Sequence, residues 1–131
     1  MKAYILAGLF SLFGLSSIAA DTPPSDAMIQ QRIAGTWFMY WMVLHETIMI
    51  GTNGDYMAYD TSAPSWTNTN RLEGTIKIRD GLMIDTILKS SITNQPVPHV
   101  STNVILRLTD HELIFRAQNK NQPIMWERVK P

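Results

Sequence analysis

The chain contains no cysteine. A small secreted domain often relies on disulfides because its core is thin, so this one must hold together through packing and backbone pairing alone. The same absence removes thiol nucleophiles, thiolate metal sites and iron–sulfur clusters. An excess of charge is also missing, since 11 Lys and Arg stand against 11 Asp and Glu. Such a balance gives no reason to expect DNA, RNA or an acidic membrane surface as a partner. There is no Gly-x-Ser-x-Gly elbow, no His-Glu-x-x-His and no glycine loop that could cradle a phosphate. His45, His99 and His111 lie far apart in sequence, so no catalytic residue is assigned and an enzyme is not expected. No cofactor is expected either. A haem held by one barrel histidine would leave no mark in the sequence.

A long apolar run occurs only at the start. Lys2 gives a positive beginning, Ala3 to Ile18 is mostly apolar, and Ser17-Ile18-Ala19-Ala20 offers small residues for cleavage. This pattern predicts a signal peptide over residues 1–20, and hence a periplasmic or secreted protein. The run is short of the roughly 20 residues that a bilayer span requires, and Asp21-Thr22-Pro23-Pro24 follows without a basic cluster. No integral membrane segment is therefore expected in the mature chain. Residues 21–33 read as a lead-in with a short helix, in which Ser25 or Thr22 caps and Met28, Ile29 and Ile33 form a narrow apolar stripe ended by Gly35.

From residue 34 to 131 the hydrophobic period becomes two. Arg71 to Arg79 alternates polar and apolar, with Leu72, Ile76 and Ile78 expected inside and Arg71, Glu73, Lys77 and Arg79 in water. Asp80-Gly81 then forms a tight turn into Leu82 to Lys89. Thr47 to Ile50 pairs in the same way with Tyr56 to Tyr59, and Val100 to Leu108 with Glu112 to Ala117. Trp37 to Val43 precedes these hairpins and Ile124 to Val129 follows them. The fold class is thus all-β: an antiparallel up-and-down barrel of about eight strands with a short N-terminal helix. Alternate connections of a meander share an end. The tight turns near Asn53-Gly54, Asp80-Gly81 and Asp110-His111 fall together at a narrow end plugged by the helix. The longer loops Asp60 to Asn70, Ser90 to Pro98 and Gln118 to Gln122 frame the opposite end as a mouth.

Four stretches carry a family likeness: Gly35-x-Trp37 after a short helix, Thr52-Asn53-Gly54-Asp55-Tyr56 at the second turn, Gly74-x-Ile76-x-Ile78-x-Asp80-Gly81-Leu82, and Arg128 in the last strand. In these the chain resembles the lipocalin-like (calycin-type) proteins, in particular the short secreted bacterial ones. The resemblance implies an arginine packed over a tryptophan at the closed end, and a small apolar or amphipathic ligand. Gly35, Trp37 and Arg128 are accordingly read as structural: a sharp entry into the barrel, a large apolar seal, and a cation–π contact on the order of 1 kcal/mol.

Ligand-binding residues are sought toward the mouth. Trp66 lies in a polar loop, Tyr40 and Tyr59 near strand ends, Trp41 late in the first strand, and His99 where a strand leaves the second long loop. Aromatic walls with one polar handle are how small-molecule pockets fix orientation. Met39, Met42, Met49 and Met57 with His45 could suggest a soft metal site, but methionines spread over strands are better explained as packing, and no metal site is assigned. A second function class is a barrel that acts on a protein partner through its outer surface, as inhibitor or accessory subunit. The first strand is apolar on both faces, so Phe38, Tyr40 and Met42 would be the contact.

Overall fold

The computed structural model describes residues 22–62 and 69–130. The leader proposed at residues 1–20 and Trp66 lie outside the described residues. One helix, α1 (Asp26–Ile33), leads into eight strands: β1 (Gly35–Trp41), β2 (Leu44–Ile50), β3 (Asp55–Ser62), β4 (Thr69–Arg79), β5 (Leu82–Ser90), β6 (His99–Leu108), β7 (Glu112–Ala117) and β8 (Pro123–Arg128). Each strand pairs antiparallel with the next, and β8 returns to β1, closing the barrel. The expected up-and-down architecture is therefore present. Its first connection is tighter than expected, because the chain turns at Met42 (φ 47°) and Val43, and β2 begins already at Leu44. The long apolar run had concealed that turn.

The helix is placed by its polar residues. The Ser25 side chain accepts a hydrogen bond from the Met28 amide at 3.2 Å, supplying the N-cap. The two Asp26 carboxylate oxygens accept the amides of Asp80 and Gly81, at 2.8 and 2.9 Å. Gln30 donates to the Ile76 carbonyl at 3.0 Å and accepts from the Ile78 amide at 2.9 Å. These bonds lay α1 across the β4–β5 turn. Ile33 is fully buried and Ile29 packs beside it, whereas Met28, expected in the same stripe, is exposed. An i, i+4 pair is the width of face that the barrel end can accept.

Trp37 completes the seal. Its side chain has 0% exposure, its indole Nε1 donates to the Ile33 carbonyl at 2.7 Å, and the Arg128 guanidinium lies 4.2 Å from its ring centre. Arg128 also donates to the carbonyls of Asp110 at 2.9 Å, Ala34 at 2.8 Å and Arg32 at 2.5 Å. Gly35 is required beside it: φ is +132°, and a Cβ would meet Arg128 Nη1 at 2.4 Å. Ile48, Ile76, Met83 and Leu113 fill the space behind. Trp37→Ala is expected to lower unfolding free energy by about 3 to 5 kcal/mol through loss of a large packed ring, as read by urea denaturation. A loss under about 1 kcal/mol would contradict this packing.

Candidate functional site

Strand register determines what lines the barrel. Directly paired residues share a face, so the partners of Trp37 and Ile76 can be followed around the sheet. Met39 pairs with Glu46, Glu46 with Asp60, Ile76 with Asp85, and Asp85 with Ser101. Three carboxyl groups, Glu46 on β2, Asp60 on β3 and Asp85 on β5, thus lie on the inner face. They alternate with apolar residues, Glu46 with Ile48, Asp60 with Ala58 and Asp85 with Met83.

Tyr56 joins this group because of a glycine. It pairs with Gly74, opposite which β5 carries a bulge at Leu88, and a Cβ at Gly74 would fall 1.9 Å from the Thr86 carbonyl oxygen and 2.9 Å from Tyr56 Cε1. The bare backbone lets the phenol ring lie flat against β4 and reach Asp85 with its hydroxyl. Asp60 is only 7% exposed, and its Oδ1, like Oδ1 of Asp85, is buried without a hydrogen-bond partner among the described residues. The buried Asn103, by contrast, donates to the Met83 carbonyl at 3.3 Å. Orphaned buried carboxylate oxygens are unusual and mark a place where a polar partner is wanted.

The electrostatics agree with this enclosure. Burial pushes the Glu46 carboxyl far above the usual carboxylate range, reinforced by its hydrogen bond to Asp60 and by the charges of Asp60 and Asp85. Burial likewise raises Asp85 from 3.8 to about 6, opposed by the Tyr56 hydrogen bond and by His99. Tyr56 is raised too, by burial first and by Asp85 second. At neutral pH the cluster therefore contains a protonated Glu46, an ionised Asp85 and a neutral phenol. Such a group can hold a proton in common or exchange it for another positive charge.

No protein-family model and no curated protein matches the chain. The residues expected to bind ligand are divided by the barrel wall. Trp41 stands on the inner face at the rim, paired with Leu44 and 41% exposed, and the exposed His99, paired with Ile87, lies on the same face as Asp85 and close enough to influence its ionisation. Tyr40 points outward, 67% exposed, with its ring centre 3.9 Å from that of His45. Tyr59 also points outward, where its hydroxyl meets Met57 Sδ at 2.7 Å and Arg71 stands 6.0 Å from its ring centre. Pairing parity separates Tyr40 from Trp41. The carboxyl cluster was missed because each acid is a single polar residue in a separate strand; the available signal was its position on the inward parity.

A group whose folded pKa is raised contributes stability that is complete below its unfolded pKa and lost as pH climbs through the folded value. The Asp85 contribution is present below about pH 4 and gone above about pH 6; it amounts to something on the order of 2 to 3 kcal/mol. Glu46 extends the decline to higher pH. Urea unfolding at pH 4.5 and 7.5 should therefore show a smaller loss of stability in Asp85→Asn than in the wild type. Equal losses in both would place Asp85 in water.

Proposed function

We propose that the chain is a secreted or periplasmic lipocalin-like binding protein whose barrel takes a small amphipathic molecule through the end opposite the helix. The observation that carries this reading is the division of the inner face. From Trp37 to Met83 it is apolar and packed, whereas beyond Ile48 and Ala58 it changes to Glu46, Asp60 and Asp85, with two carboxylate oxygens that no side chain among the described residues satisfies. A barrel that served only as a scaffold would gain by filling that region with apolar side chains. The half-exposed indole of Trp41 at the rim supplies the flat apolar surface that such a ligand would meet first.

A second reading is favoured by the outer surface. β1 and β8 pair only at Trp37–Arg128 and Phe38–Glu127. Beyond these pairs lies a groove of about 240 Å³ bordered by Phe38, Tyr40, Trp41, Pro123 and Met125. Met42, 86% exposed, stands at its end. On this reading the barrel is an inhibitor or accessory subunit that docks a protein along the seam.

The two readings part in one experiment. Native mass spectrometry of protein purified from its own host should show a co-purifying small molecule, and titration with a panel of cationic, neutral and anionic amphiphiles should find at least one that changes tryptophan emission. Trp41→Phe and Trp66→Phe should each reduce the response, while Trp37, behind the plug, contributes little to it. No bound molecule and no response at micromolar ligand would leave the seam as the working surface.

A further inference from the structure

We infer that the barrel recognises an organic cation, a primary or secondary ammonium group on an apolar body, whose positive head is received between Asp60, Asp85 and Tyr56. This inference rests on the binding reading above and names the class of ligand. Asp60 is more than nine-tenths buried, is turned into the barrel, and presents an oxygen with no donor among the described residues. Asp85, two strands away on β5, presents a second. Two buried acceptors facing one interior lack N–H donors, and an ammonium carries two or three of them. The phenol oxygen of Tyr56 adds a neutral acceptor beside Asp85.

A metal ion fits the set less well. No group of three or more His, Cys, Asp or Glu side chains among the described residues is arranged to hold one. Glu46 and Asp60 are already paired with each other, and Asp85 stands apart on β5, which suits a head group with several donors better than a bare ion. An anionic amphiphile is disfavoured outright, because its carboxylate would enter a space already holding like charge. Fatty acids should therefore be the weakest of the common barrel ligands here. The apolar tail would lie toward Trp41 and the rim, where Met39 and Leu44 continue the inner face.

The groups facing Asp85 are Tyr56 on β3, Glu46 on β2, Asp60 on β3 and His99 on β6. Affinity for an ammonium should fall as pH is lowered from 7.5 to 5.5, since the carboxylate that attracts it becomes protonated in that interval. His99→Gln, measured alongside, separates the histidine's share of that profile.

The test uses one chain length and three heads: n-octylamine, n-octanol and octanoate, titrated by calorimetry into the mature protein at pH 7.5. Octylamine should bind at least about tenfold more tightly than octanol, with octanoate weakest. Asp85→Asn and Asp60→Asn should each weaken octylamine at least about tenfold while leaving octanol within about twofold. Melting curves of both variants establish that they are folded, and the three-head comparison in the wild type stands if either is not. Octanol binding as well as octylamine, with no effect of either substitution, would overturn the ammonium assignment and leave a ligand-binding barrel. Binding of none of the three, with no co-purifying molecule, would overturn both.

Discussion

Closure of this barrel depends on one arginine. The ladder between the first and last strands has two residue pairs, extended by a backbone bond from the Val129 amide to the Thr36 carbonyl at 2.9 Å, and is the shortest ladder among the described strands. Arg128 makes up the difference by stacking on Trp37 and donating to carbonyls at the end of α1, at the helix exit and in the β6–β7 turn. A planar guanidinium can stack on a ring while its edge serves several acceptors; an ammonium cannot do both. Because Trp37 donates in turn to Ile33, the helix, the first strand and the last strand are fixed as one unit. The remaining strands are each held by two full neighbours and do not need such a device.

A sealed end allows the opposite half of the interior to differ in character. Ionised carboxylates inside a barrel carry a desolvation penalty of several kcal/mol each unless they are paired or protonated. The chain reduces the penalty by keeping Glu46 protonated against Asp60 and by turning the Tyr56 hydroxyl toward Asp85. Gly74 makes that second contact available, since any side chain there would collide with Thr86 and push the phenol away. Two oxygens are still left without donors among the described residues. The surrounding core, with Ile48, Ile76 and Met83 essentially inaccessible, supplies the stability against which such a defect can persist.

Much of the scaffold was legible because its signals are local. Alternation in Arg71 to Arg79, the Asp80-Gly81 turn and the Gly35-x-Trp37 entry each act within a few residues, and the parity of a meander then orders the ends. The Met42-Val43 turn was hidden because it contains neither glycine nor asparagine and interrupts a continuous apolar run. Candidate ligand residues fared differently: aromatic type and nearness to a loop say nothing about which side of a strand is inside. Tyr40 and Trp41 are adjacent and face opposite ways. The carboxyl cluster needed one further step. With a two-residue turn at Asp80-Gly81, Ile78 must face Met83, and Asp85 then follows Met83 to the interior. Glu46 and Asp60 required the β2–β3 register, which the turn Gly51 to Gly54 sets less obviously.

Placing titratable acids inside a closed sheet links the fold to whatever neutralises them. A proton does so at low pH. At neutral pH the proton on Asp85 is lost while the burial that disfavours its charge persists, so the electrostatic load on the barrel is greater at neutral pH than in acid. A bound cation relieves that load by direct pairing and, binding only the folded state, adds stability in proportion to the logarithm of its concentration over its dissociation constant. On the proposed reading the same oxygens that weaken the unliganded barrel would also discriminate among ligands, because a neutral molecule leaves them unpaired and an anion adds to the repulsion. Selectivity for charge would then follow from an unsatisfied interior, and the seal formed by Trp37 and Arg128 would let that interior persist without opening the barrel.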